Sequence, residues 1–223
     1  MKRIILMIAI SMFFATSAGA DMRTVNIDFQ PPNSPTVYSG LGMAPDSGTY
    51  WNAMSLGTQS GLLASDGTTI TGTTVSTNYT YYYADSGNEL LRDRIIWSDG
   101  SPHTGNPDTP AIMISGLEAG LLYDIYLYAG HYDQTFTIDG VSKFMTADGY
   151  SQNQPNWTEG IHYVPFLGVA PTTNGSINIA IYSTAPTDTV ISGLQIQAVP
   201  VPGAVLLGML GLSAAGVRLR KRM

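Results

Sequence analysis

Cysteine is absent from the 223 residues, which excludes disulfides, thiol nucleophiles and cysteine-ligated zinc. Histidine is scarce: His103, His131 and His162 lie too far apart for a zinc spacing. Glutamate occurs only at Glu89, Glu118 and Glu159, and nothing singles out a glycosidase carboxylate pair. No Gly-x-Ser-x-Gly elbow is present. Gly57-Thr58-Gln59-Ser60-Gly61 has the wrong frame, and Asp85-Ser86-Gly87-Asn88 is ordinary turn chemistry. His131-Tyr132-Asp133 sets a base and a carboxylate two apart, a pair better suited to loop hydrogen bonding than to a triad. Charged residues make up 12% of the chain, about half the usual share. Basic residues are concentrated at the two ends, and only Arg23, Arg92, Arg94 and Lys143 lie between residues 21 and 198. Sixteen acids share that segment, a formal −12. Such a balance repels phosphate backbones and excludes nucleic acid as a partner.

The ends carry clearer information. Met1-Lys2-Arg3 is a basic lead-in, Ile4 to Ala15 is apolar with one serine, and Ala18-Gly19-Ala20 supplies the small-residue exit. This order predicts a signal peptide over residues 1–20, with Ala18 and Ala20 flanking the cleavage and Asp21 beginning the mature chain. At the other end Val199-Pro200-Val201-Pro202-Gly203 breaks a strand, because proline fixes its own φ and has no N–H to donate. Ala204 to Val217 then runs without charge, and Arg218, Arg220, Lys221 and Arg222 follow. A membrane helix needs about 20 apolar residues, so 204–217 is a short span that borrows from its flanks. The cations after it favour an N-out, C-in orientation. Residues 21–198 are therefore expected outside the cytoplasm, as one domain large enough to bury its own core.

At these residues the tail resembles the PEP-CTERM sorting signal of Gram-negative bacterial surface proteins. In that family a Val-Pro-x-Pro motif precedes a short transmembrane helix and an Arg-rich end. Val199, Pro200, Val201, Pro202 and Gly203 correspond to the motif, although the family's usual glutamate between the prolines is Val201 here. Arg218, Arg220, Lys221 and Arg222 correspond to the basic stop. The resemblance implies an exosortase and the export machinery as partners and a membrane-anchored intermediate held through the C-terminal helix. It further implies a final place at the cell surface or in an extracellular matrix, associated with exopolysaccharide.

Between the ends, Thr, Ser, Gly, Tyr and Asn abound while Lys, Glu and Ala are few, which favours strands joined by turns. Thr24 to Phe29 alternates, with Val25, Ile27 and Phe29 on one side. Strands are also predicted at Thr68 to Val75 and at Tyr79 to Tyr83. Gly40 to Gly48 and Ser55 to Gly61 read as loops, and Glu89 to Trp97 as a short helix or an irregular strand. Ala111 to Ser115, Leu122 to Ala129, Ile161 to Val169, Ser176 to Ser183 and Val190 to Ala198 read as further strands. Asp139-Gly140 signals a two-residue hairpin between Thr135 and Phe144. The expected class is all-β, an antiparallel β-sandwich of the jelly-roll kind. Ile114-Ser115-Gly116-Leu117, Tyr123 to Tyr128, Phe136 to Gly140 and Ile191 to Ile196 form an ordered series. It is similar to the core strands of PEP-CTERM surface domains and, more distantly, of malectin-like and galactose-binding-like jelly rolls, which implies carbohydrate binding.

Trp157, Trp51 and Trp97 are the candidate ligand-binding residues, because flat rings stack on the C–H faces of sugars. Trp157 stands out, since its Gln/Asn/Pro-rich loop gives an indole few reasons to be buried. A structural calcium ion is compatible with Asp99, Asp108, Asp133 and Asp148 near loops, but no EF-hand spacing fixes its ligands. The sequence reading is a non-enzymatic, sorted surface or matrix protein with affinity for polysaccharide and no catalytic cofactor. Its alternatives are an extracellular hydrolase, esterase or glycosidase, and a self-associating coat component.

Overall fold

The structure, a computed structural model, describes residues 24–32, 36–79, 81–83, 90–91, 93–97, 109–147, 157–183 and 188–199. The signal peptide, the segment 200–223 with its basic stop, and the carboxylates Asp99, Asp108 and Asp148 lie outside the described residues. Among those described, every regular element is a strand, and no helix is long and apolar enough to cross a membrane.

Fourteen strands follow one another. They are β1 (Val25–Phe29), β2 (Asn52–Met54), β3 (Gly57–Gln59), β4 (Thr74–Thr77), β5 (Tyr81–Tyr83), β6 (Arg94–Trp97), β7 (Ile112–Ser115), β8 (Leu122–Tyr128), β9 (Gln134–Ile138), β10 (Val141–Met145), β11 (Tyr163–Val169), β12 (Ile177–Tyr182), β13 (Thr189–Ile191) and β14 (Gly193–Val199). They form a five-stranded sheet in the order β11-β8-β14-β1-β2, a six-stranded sheet in the order β10-β9-β12-β7-β4-β3, and a small sheet β13-β6-β5. Pairing between strands is antiparallel except for β1 with β2.

Period-two alternation builds the core. Val25, Ile27 and Phe29 of β1 join Ile125 and Leu127 of β8 and Leu194 and Ile196 of β14 on one face of the five-stranded sheet. The six-stranded sheet contributes Val75, Ile112, Ile114, Phe136, Ile138, Ile177, Ile179 and Ile181 to the same cluster. Two sheets sharing one apolar interior make the body sandwich-like. The Asp139-Gly140 hairpin forms as its residues dictate, with φ of 49° and 75° and Ile138 paired to Val141.

The first half departs from the sequence reading. Ser55 to Gly61 contains the polar strand β3, which has no apolar alternation to announce it because it lies at a sheet edge. The strand expected from Thr68 starts at Thr74, preceded by a single bridge between Leu63 and Ile70. The ambiguous 89–97 stretch supplies β6 rather than a helix. Val190 to Ala198 is two strands, not one. At Ser192 the chain leaves the small sheet for the five-stranded one, held by Ser192 N–H to Tyr128 O at 2.9 Å and Phe29 N–H to Ser192 O at 2.8 Å.

Candidate functional site

Every residue of β1 is buried, although only Val25, Ile27 and Phe29 face the main core. Asn26 and Asp28 point the other way, toward the outer face of the five-stranded sheet. That face also carries Gln195 of β14 and Tyr126 and Tyr128 of β8. The strap 36–50, which joins β1 to β2 without regular structure, covers it.

Amide side chains on the sheet hold the strap by its backbone. Asn26 Nδ2 donates to Ser47 O at 2.6 Å and to Tyr50 O at 2.8 Å. Gln195 Nε2 donates to Asn26 Oδ1 at 2.7 Å, while Gln195 Oε1 accepts Met43 N–H at 2.9 Å and Ala44 N–H at 3.0 Å. The Tyr128 hydroxyl donates to the same Gln195 oxygen and accepts Met43 N–H at 2.7 Å. Gly42 makes this approach feasible, since a Cβ there would lie 2.3 Å from the Gln195 amide. Further along, Tyr38 N–H donates to Asp28 Oδ2 at 2.8 Å. Each bond satisfies a group that the strap removes from water, so the network fixes one strap conformation.

Rings fill the space between strap and sheet. Tyr38 stands edge-on to Trp51 at 5.1 Å, Trp51 to Tyr128 at 5.9 Å, and Tyr128 to Trp157 at 5.2 Å. Tyr163 of β11 lies 6.1 Å from Tyr128, and His162 lies 6.4 Å from Trp157. Such offset and edge contacts suit the aromatic quadrupole. The structure thus brings two of the three tryptophans to one place with different roles. Trp51 is 3% exposed, its indole N–H donated to Gly40 O at 2.9 Å, so it forms the floor and offers no face to a sugar. Trp157 is half-buried, donates to Leu41 O at 3.3 Å, and shares the surface with half-buried Tyr38 and exposed Leu41. Trp97 ends β6, and its side chain lies outside the described residues.

Burial sets the electrostatics. Desolvation raises the phenols of Tyr128 and Tyr38 above their ordinary value, which keeps both neutral and able to donate. Asp28 is pushed up to about 7, chiefly by burial and against the Tyr38 N–H that lowers it, with Asp93 adding repulsion. Elsewhere, burial and the neighbouring Arg94 guanidinium hold His131 down at about 4; Arg94 Nη2 lies 3.4 Å from its Nε2. The Asp133 carboxylate instead accepts Ala147 N–H at 2.7 Å, a loop-fixing bond. His162 is buried and accepts Thr158 N–H at 2.9 Å on Nδ1. Ser86, His103 and Glu89 lie outside the described residues. Among the described residues no group of three or more His, Asp or Glu is arranged to hold a metal.

Sequence reasoning missed Asn26, Asp28, Gln195 and Tyr128. A usable signal existed: polar amides and a carboxylate on strands flanked by a long segment without strand pattern, which must lie over something.

No family model and no curated protein matches the chain. A solved structure, that of protein YXIM_BACsu from Bacillus subtilis, is similar with a TM-score of 0.42 and 16% identity, over 79% of this chain and 40% of that one.

Proposed function

We propose that the chain is an exported bacterial surface or extracellular-matrix protein whose body, a jelly roll, binds carbohydrate without catalysing a reaction. The leader 1–20 sends it across the membrane. The PEP-CTERM-like tail, through the exosortase and export machinery, holds it at the membrane and then delivers it to the surface in an exopolysaccharide setting. The observation that carries the binding part is the half-exposed Trp157, clamped by its N–H to Leu41 O and backed by Tyr128 and Tyr38. A rigid, partly apolar ring with neutral phenols nearby suits an uncharged sugar better than an ionic ligand. The acidic body around it disfavours anionic polymers, so neutral glycans are the preferred class.

The test is a glycan array followed by calorimetry on the full chain. Trp157→Ala is expected to weaken binding about tenfold or more while leaving the far-UV CD spectrum unchanged. Glycan binding untouched by that change would move the site elsewhere, and no binding to any glycan would refute the reading.

A self-associating coat component is the second reading. It is favoured by the outer face of the six-stranded sheet, where Met113 and Phe144 are 42% and 55% exposed. Concentration-dependent assembly in sedimentation, without glycan binding, would select it.

A further inference from the structure

The end of the body where β14 stops carries exposed apolar side chains. Leu122, 40% exposed, is the register partner of Val199, the last residue of β14. Beside it β11 bulges, with Leu167 and Gly168 together opposite Asp124. Gly168 turns at φ 67° and donates its N–H to the Asp124 carboxylate at 2.8 Å, which leaves Leu167 65% exposed. A Cβ on Gly168 would stand 4.0 Å from Leu122, so the bulge lies against that leucine. Ile70, 73% exposed, rims a cavity whose wall includes Tyr123, Ile196 and Ala198, at the same strand ends. Val141, 56% exposed, follows the Asp139-Gly140 turn, and Asp139 shares a second cavity with Val169 and Ala170 just beyond the bulge.

Apolar side chains exposed singly are ordinary, but a group of them at one end marks a contact surface. The position of the tail says what that surface meets. The charge-free run 204–217 begins five residues after Val199. Five residues reach about 18 Å at full stretch, and a headgroup layer is itself about 5–8 Å deep. Where the run spans a bilayer, this end of the body is therefore held at the membrane surface. We propose that the end carrying Ile70, Leu122, Val141 and Leu167 docks on the headgroup layer of a zwitterionic bilayer, so that the body stands end-on above its own tether. The proposal rests on the reading of 204–217 as a span, which comes from its apolarity and the cations behind it. Glu118, Asp124 and Asp139 lie at the same end and disfavour anionic lipid. Four partly exposed side chains are too few to hold the body by themselves. The tether supplies the effective concentration, and the surface sets the orientation. The consequence reaches the glycan site. β8 runs from Leu122 at this end to Tyr128, about 20 Å away, and Tyr128 backs Trp157. End-on docking turns the Trp157 ring away from the lipid.

The full chain has no cysteine of its own, so a single introduced cysteine carries an environment-sensitive fluorophore without competition. Leu167→Cys and Leu41→Cys are a matched pair, the native side chains being 65% and 63% exposed, and Leu41 lies beside Trp157. In phosphatidylcholine nanodiscs the label at 167 should shift to the blue and lose most of its emission to lipid spin-labelled at the headgroup. The label at 41 should do neither. Replacing phosphatidylcholine with phosphatidylglycerol should shrink the contrast. A Glu118→Cys reporter should show the blue shift in the native background and lose it when Ile70→Ser, Leu122→Ser and Leu167→Ser are combined, with the chain still in the disc. Equal behaviour of the labels at 167 and 41, in a chain that has entered the disc, overturns the docking and leaves the tail reading standing. A chain that does not enter the disc overturns both. If the triple variant does not fold, the pair at 167 and 41 decides.

Discussion

Asp28 shows how one side chain can set a pH response. Its folded-state value of about 7 lies above the ordinary 3.8, with burial the main cause. The folded chain therefore holds the proton more tightly than the unfolded one. This contribution is fully present below about 3.8 and is lost as pH rises through about 7. The Asp28 contribution to the unfolding free energy should decline by about 2–4 kcal/mol between pH 4 and 7, read as the difference between wild type and Asp28→Asn in urea titrations across the range. Among the described residues the Tyr38 N–H lowers this carboxyl and Asp93 raises it, and neither reverses the sign. His131 acts oppositely: with its value lowered from 6.5 to about 4, its contribution is present above 6.5 and fades as pH falls toward 4. The slope left in Asp28→Asn should thus be upward with pH, and in the wild type it partly offsets the Asp28 decline. Backbone conformation gives a second residue-scale contrast. Gly116 has φ +75°, and a Cβ there would stand 2.1 Å from Gly72 O, whereas Gly140, also at φ +75°, has nothing within 4 Å. Gly116→Ala should cost about 2–4 kcal/mol, and Gly140→Asn should be nearly neutral, both read from denaturation midpoints.

At the scale of elements, the strap and its sheet face behave as one unit. Replacing Gln195 with Leu would orphan Ala44 N–H and Asn26 Oδ1 and remove one partner of Met43 N–H and of Tyr128 OH. A loss of about 3 kcal/mol or more is expected. Hydrogen exchange should show it as deprotection confined first to the Met43 and Ala44 amides. The same elements show where sequence reading succeeds and where it stops. β8, β9, β12 and the Asp139-Gly140 turn were legible because alternation and turn chemistry are local. β3 was obscured because a polar edge strand lacks that alternation, and the start of β4 was blurred because the residues before it, Thr68 to Thr73, have the same Thr-rich composition. For β1 and β14 alternation told which residues share a face, but not what lies over it. Asn26, Asp28 and Gln195 fall on the polar side of that alternation and are buried by a strap with no pattern of its own. Trp51 and Trp157 were legible as candidates. Their convergence on Tyr38 and Tyr128, and the division into buried floor and half-exposed ring, depend on contacts between residues as far apart as Tyr38 and Trp157.

For the whole molecule, the decisive junction is Val199–Pro200. β14 is an interior strand of the five-stranded sheet, paired on one side to β1 and on the other to β8, and its last pairing is Val199 with Leu122. Pro200 then offers no N–H to extend the ladder. Ending the chain after Val199 removes none of the described strand pairings, so Tm should match that of the full chain. Ending it after Ser192 deletes β14, frees the edges of both β1 and β8, and should abolish cooperative unfolding. If the tail acts only as an address, the two properties separate cleanly. The Val199 truncation should fold and bind as the full chain does, yet leave the membrane fraction for the soluble extracytoplasmic one. Replacing Arg218, Arg220, Lys221 and Arg222 with Gln should disturb placement without touching stability, since the positive charge that orients the span is gone while the body is unchanged. Fractionation with thermal scanning on the same samples tests both halves. A truncated chain that folds but stays membrane-bound would show that something in 21–199, not the tail, holds this acidic β body to its surface.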